Sequence, residues 1–179
     1  SNGDYIQWLD ADDLLHPDKI RLQLEAVERE SLDERTLLTG SFGLFLHRPW
    51  KARFSPSPLW EDLHPVEWIV NKFNAYAWMN PATWLVSRYL AEVAGPWDES
   101  LSRDQDGEYI CRVVSKSELV KFVPRATSYY RSSGSSSISK TYSRAVSESI
   151  WKSSRLCIRY LLDMDDCERT RASCVRYLQ

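Results

Sequence analysis

The chain of 179 residues has the length of one domain, and 43% hydrophobic with 12% aromatic residues is enough to bury a real core. A formal net charge of −2 argues against nucleic acid or a strongly anionic surface as a partner of the whole chain. Cys111, Cys157, Cys167 and Cys174 form no CxxC pair and have no histidine nearby. They are expected to be reduced thiols of a cytoplasmic protein rather than a zinc site or a disulfide framework. No apolar run approaches the roughly 20 residues of a membrane span, and no stretch reads as a signal peptide. Eight tryptophans and nine tyrosines supply flat surfaces suited to sugar rings, although core packing accounts for most of them.

The first element is Tyr5-Ile6-Gln7-Trp8-Leu9-Asp10-Ala11-Asp12-Asp13, a β-prone run that ends in three carboxylates. Acids at such a strand end lie at the carboxyl edge of a sheet, where open α/β sheets bind ligands. Three acids in four residues repel one another, which makes a divalent ion with its preference for oxygen a natural partner. The plainer alternative is an acidic turn capping the next helix. A strand with its ligand edge at residue 10 normally follows earlier βαβ units, so the chain is expected to lack an N-terminal part.

Pro17 suits a first helical turn, and Ile20, Leu24 and Val27 recur at helical spacing to about Glu30. A polar loop over 31–35 leads to a strand-like run from Thr36 to Leu46, where Gly40 and Gly43 allow a bulge or close approach. Residues 48–65 hold four prolines and read as a loop. A helix is predicted over 66–79, a short strand after Asn80-Pro81, and a short helix over 87–93 that Gly95-Pro96 ends. The second acidic segment, Trp97 to Arg112, opens a helix running to about Lys116, where acids also complement the helix dipole. Strands follow over 119–124 and 126–131, then a hydroxyl-rich loop over 132–137. A helical tail over 142–179 is broken near Asp163 to Asp166. No internal repeat is present.

The two acidic segments, in this order and spacing, resemble the family 2 inverting nucleotide-sugar glycosyltransferases of GT-A fold. Gly3 to Asp13 looks like that family's strand and DxD motif, and His16-Pro17-Asp18-Lys19-Ile20 like its next helix start. Gly95-Pro96-Trp97-Asp98-Glu99 resembles its Gly-x-(aromatic)-Asp-Glu segment. Gln105-Asp106-Gly107-Glu108-Tyr109-Ile110-Cys111-Arg112 resembles its Glu-Asp-x-Asp-x-x-x-Arg helix. Tyr129-Tyr130-Arg131 with Gly134-Ser135 and Ser137-Ile138-Ser139 resembles its closing loop. The match spans residues 3 to about 140.

The resemblance implies an α/β fold: a partial GT-A (nucleotide-diphospho-sugar transferase) mixed sheet flanked by helices, with a helical C-terminal extension. Residues 1–140 would be the metal edge and acceptor half, and 141–179 the extension. It implies that Asp12, with Asp10, holds Mg²⁺ or Mn²⁺ on the donor diphosphate, where the ion offsets charge developing on the leaving group. Asp10, Asp12 and Arg131 would bind the donor, Arg131 as a fork for phosphate oxygens unless it makes only a surface ion pair. Asp106 falls at the catalytic base, with Asp104 and Glu108 as competing carboxylates. Asp98, Glu99, Gln105 and Trp84 fall on the acceptor side, and Trp60, Trp68, Trp78 and Trp84 are candidates for stacking on the acceptor. Asp13 is expected to cap the helix that follows it. The implied partners are a nucleotide-diphospho-sugar and a glycan or lipid-linked glycan acceptor in polysaccharide or glycoconjugate synthesis. The implied place is the cytoplasm, with peripheral association at the inner face of a membrane left open.

Several residues depart from the family pattern. Gln105 stands where the family has Glu, Glu108 where it has Asp, and the closing loop carries no histidine to serve as a third metal ligand. The units expected before Gly3 would supply the base pocket, so the chain alone is expected to bind nucleotide sugar weakly or not at all. A haloacid-dehalogenase-like phosphatase also ends its first strand in Asp-x-Asp, with the first Asp as nucleophile. It asks for a hydroxyl residue or valine at position 14, which is leucine, and for a later Gly-Asp-x-x-x-Asp that the chain lacks. A calcium loop fails for want of its glycine and distal glutamate. An aromatic-rich carbohydrate-binding module would leave the paired acidic segments idle.

Overall fold

The computed structural model describes residues 2–132 and 143–179. β1 (Tyr5–Ile6) and β2 (Leu14–Leu15) bracket the first acidic segment, and α1 (Lys19–Glu30) follows. β3 (Thr36–Phe45), a 3₁₀ turn (Pro49–Lys51) and β4 (Arg53–Phe54) form a hairpin. Then come α2 (Pro65–Ala75), a 3₁₀ turn (Pro81–Thr83), β5 (Val86–Ser87) and α3 (Arg88–Ala94). The chain continues with α4 (Gln105–Lys116), β6 (Leu119–Arg131), α5 (Arg144–Met164) and α6 (Glu168–Tyr177). The outcome is a mixed α/β fold, with a mixed sheet flanked by helices. The predicted helix over 66–79 stops early. Tyr76 turns left-handed (φ 48°), and its N–H and that of Ala77 close the end of α2.

β3 and β6 run parallel at the centre, with β2 and β4 antiparallel outside them in the order β2-β6-β3-β4. β1 pairs antiparallel with β5, and a bridge between Leu85 and Leu38 ties that pair to β3. The central ladder breaks once. Gly40 faces Val123 and Phe42 faces Ser128, so two steps on β3 meet five on β6. Pro124 lies in the excess, where it need not donate a ladder hydrogen bond. The bulge brings the Ala126 carbonyl against Gly40: a Cβ at residue 40 would sit 1.8 Å from that oxygen. Beyond the bulge, Ser128 to Arg131 run between β2 and β3 toward the acidic segment.

The main core joins Leu37 and Val120 of the sheet to Trp68, Ile69 and Phe73 of α2, Trp84, and Tyr109, Ile110, Cys111, Val113 and Val114 of α4. The C-terminal helices enter the same core through Cys157, Leu161 and Cys174, and Tyr177 stacks on Phe73 at 4.1 Å. A smaller cluster of Ala26, Val123 and Ala126 seats α1 on β6. All four cysteines are free thiols. Among the described residues no helix is long and apolar enough to cross a membrane.

One buried cation stands out. The Lys19 ammonium is fully enclosed and meets no carboxylate among the described residues; it donates to Gln7 Oε1 at 2.7 Å and Gln23 Oε1 at 2.8 Å. Gln7 in turn donates to the carbonyls of Trp8 and Ala82, so the lysine braces the segment leading to Asp10. Burial pulls Lys19 from its ordinary 10.5 down to about 7. An unfolded chain keeps this proton up to pH 10.5, while the folded chain gives it up near 7. The contribution to stability is therefore full above 10.5 and is lost, at about 1 kcal/mol per pH unit, as pH falls toward 7. Lys19→Met removes this titration. Between pH 7 and 9 the wild type should gain about 2 kcal/mol on the variant in denaturant unfolding; parallel pH curves would show that Lys19 keeps its proton in the folded chain.

Candidate active site at the two acidic segments

Asp10 to Asp13 form a tight turn in which the Asp13 N–H donates to the Asp10 carbonyl at 3.1 Å. The chain then pairs Leu14 and Leu15 with Tyr129 and Ser128 of β6, which fixes the direction of each acid. Asp10 and Asp12 face solvent. Asp13 points inward and is buried; its Oδ2 accepts from Asn80 Nδ2 at 3.0 Å and its Oδ1 from the Arg131 backbone N–H at 2.9 Å. The expected helix cap at Asp13 is thus corrected. Residues 14 and 15 are strand, α1 starts only at Lys19, and the carboxylate joins three separate chain segments instead. Burial, together with Asp10 and Asp12, pushes its carboxyl above the ordinary value, and the two hydrogen bonds oppose that rise.

An aromatic clamp carries the second segment to the first. Trp97 stacks on Tyr109 at 4.3 Å, and Trp8 meets both rings edge-on at 6.0 and 5.3 Å. Trp8 lies two residues before Asp10 and Tyr109 three after Asp106, so packing the three rings places the acids on neighbouring ground. Asp10 and Asp104, after burial, raise the Asp106 carboxyl, which shows the two segments within electrostatic reach of each other.

The acids around α4 have distinct partners. Asp104 is left-handed (φ 59°), and its Oδ2 accepts from Ser153 of α5 at 2.6 Å. Its carboxylate folds over residue 107, where a Cβ would come within 2.3 Å of Oδ1, so glycine is needed there. Glu108 is buried in a two-pronged pair with Arg112 at 2.9 and 3.0 Å, and the Tyr160 hydroxyl donates to it at 2.6 Å. Asp98 accepts from Lys152 at 2.8 Å and from the Ser100 backbone, which holds its carboxyl low, at about 2. Among the described residues Asp106 alone of these four has no side-chain partner. Glu99 and Gln105 are exposed beside it.

The resemblance gives Tyr130, within Tyr129-Tyr130-Arg131, no role of its own. The residue is half-buried, and after burial Asp13, Asp12, Asp10 and Asp106 all raise its hydroxyl, so it lies within electrostatic reach of both segments. Trp78 packs edge-on against it at 5.3 Å and remains exposed. Among the described residues Arg131 makes no ion pair, and its guanidinium is not a free fork. Nε donates to the Asp12 carbonyl at 3.0 Å and Nη1 to the Leu46 carbonyl at 3.3 Å, with the guanidinium 4.7 Å above the Phe45 ring. Its first task is to hold the Asp12 turn. Trp84 is corrected as an acceptor platform: it is fully buried, as is Trp68, so neither can stack on a ligand. Trp60 lies half-buried, stacked near Phe122. Of the four tryptophans named, Trp78 alone is exposed next to the acids. Residues 133–139 of the expected closing loop lie outside the described residues.

Among the described residues no three of His, Cys, Asp and Glu converge to hold a metal ion. Two exposed carboxylates, Asp10 and Asp12, are the share a protein contributes where phosphates and water complete the shell of a Mg²⁺ ion. The residues fit an ion that arrives with a diphosphate and do not fit a self-sufficient metal site. No protein-family model matches the chain, and no curated protein does.

The different placements of neighbouring acids predict different costs. Asp13→Ala leaves the Asn80 amide and the Arg131 N–H without an acceptor and should lose roughly 2–4 kcal/mol of unfolding free energy. Asp12→Ala should stay within about 0.5 kcal/mol of wild type. Equal losses for the two variants in urea unfolding would refute the buried placement of Asp13.

Proposed function

We propose that this chain is the metal edge and acceptor half of an inverting glycosyltransferase of GT-A type, which moves a sugar from a nucleotide-diphospho-sugar to an acceptor hydroxyl. The observation that carries the reading is the state of Asp106. Asp98, Asp104 and Glu108 are each engaged, while Asp106 has no side-chain partner among the described residues, and its carboxyl is raised by burial first and then by Asp10 and Asp104. A carboxylate raised in this way is a better base near neutral pH than an ordinary one. The parallel β3–β6 centre with acids at its carboxyl end is consistent with this reading.

Asp106 would accept the proton of the acceptor hydroxyl as that oxygen bonds to the anomeric carbon. The bond from that carbon to the diphosphate breaks on the opposite face, and the nucleoside diphosphate leaves with the electron pair. Asp10 and Asp12 would hold Mg²⁺ or Mn²⁺, which when bound offsets the charge on the diphosphate. Arg131 fixes the Asp12 turn, and Tyr130 and Trp78 form the wall between donor and acceptor sides. Trp78 presents the ring on which a sugar acceptor could stack.

At millimolar nucleotide sugar with Mn²⁺ and glycan or lipid-linked glycan acceptors, nucleoside diphosphate release is expected. Asp106→Asn should slow it by about 10²–10⁴-fold, with an unchanged melting curve. Wild-type turnover in Asp106→Asn would contradict the assignment. Hydrolysis of p-nitrophenyl phosphate that disappears in Asp10→Asn would point to a phosphatase instead.

A further inference from the structure

The hairpin from β3 to β4 has a composition unlike the rest of the chain. Residues 36–60 contain no Asp or Glu, in a chain that has 25 acids, yet they include Arg48, Lys51 and Arg53 within six positions, with His47 adjacent. None of the three strong cations has an ion-pair partner among the described residues. The near-neutral charge of the whole chain conceals this local excess. The same hairpin exposes large apolar side chains: Trp50 is 78% exposed and Leu46 50%, with Leu44 and Phe54 also open to solvent. A cavity of about 570 Å³ lies between the two sets, walled by Leu44, Leu46, Arg48, Lys51 and Arg53.

Leaving Trp50, Leu46 and Leu44 in water is unfavourable, and the core gives no reason for it: the Phe54 ring over Gly43 already seats β4 without them. An indole and leucines at a tip, ringed by unpaired cations, match a surface that offers both acyl chains and anionic headgroups. Nucleic acid would satisfy the cations but not the leucines. We propose that the β3–β4 hairpin docks this protein on an anionic phospholipid bilayer, with Trp50 and Leu46 entering the headgroup region and Arg48, Lys51 and Arg53 meeting lipid phosphates. The hairpin is next to the candidate site, since Arg131 bonds both the Leu46 and the Asp12 carbonyls. Docking would hold that site at the membrane surface. The inference rests on the hairpin alone and stands apart from the transferase reading.

The test is co-sedimentation of the whole chain with vesicles of phosphatidylcholine, alone or mixed about three to one with phosphatidylglycerol. Binding is expected only to the mixed vesicles. Each cation should contribute about five-fold, so the Arg48→Gln, Lys51→Gln, Arg53→Gln triple variant should lose about 100-fold. Trp50→Ser with Leu46→Ser should lose about ten-fold or more with an unchanged melting curve, because both side chains are already exposed. Equal binding to both vesicle types would overturn the proposal. So would full binding by the serine variant with loss in the glutamine variant, which marks a polyanion site. No vesicle binding, with a dimer that Trp50→Ser dissociates in sedimentation velocity, would assign the patch to a second copy and overturn it as well.

Discussion

A carboxylate inside a protein is costly unless it is hydrogen-bonded, and Asp13 is the point at which this structure meets that condition. Its two oxygens draw in the Asn80 amide, before the turn that leads to β5, and the Arg131 N–H, at the end of β6. Three stretches far apart in sequence are thereby held at one place. Once Asp13 points inward, Asp10 and Asp12 must point outward on the same tight turn. With the Arg131 backbone pinned, its guanidinium is free to reach back to the Asp12 carbonyl and to cover Phe45. One buried acid thus positions two exposed ones.

The second tie is apolar. The rings of Trp8, Trp97 and Tyr109 bring α4 against the first segment and set Asp106 in the field of Asp10. The acids then divide by environment. Glu108 is neutralised by Arg112, Asp104 is bound to α5, and Asp98 is bound to Lys152. Among the described residues Asp106 is the one of these four acids with no side-chain partner. The C-terminal helices matter to this division, since Ser153, Tyr160 and Lys152 all come from α5.

Much of the fold could be read from local pattern. Helical spacing marked α1 and α4, glycine and proline marked the end of α3, and the apolar run from Thr36 gave β3. The acidic segments were visible because three carboxylates in four residues need a reason. The errors lie where long-range contacts decide. Asp13 resembled a cap because nothing local shows that Leu14 and Leu15 pair with a strand more than 100 residues away. Trp84 resembled a ligand platform because sequence cannot tell an exposed ring from a buried one, and the choice among Trp60, Trp68, Trp78 and Trp84 is made by packing. Tyr130 stood in the Tyr129-Tyr130-Arg131 stretch without a role of its own; its nearness to both acidic segments depends on the path of β6.

That the two acidic segments form one site around Tyr130 can be measured in solution without tight binding. Mn²⁺ added with a nucleoside diphosphate to isotope-labelled protein should broaden the amide signals of Asp10 to Asp13, Asp106, Gly107 and Tyr130 before those of α6. Broadening confined to residues 10–13, with Asp106 and Tyr130 unaffected, would show that the segments do not share a site.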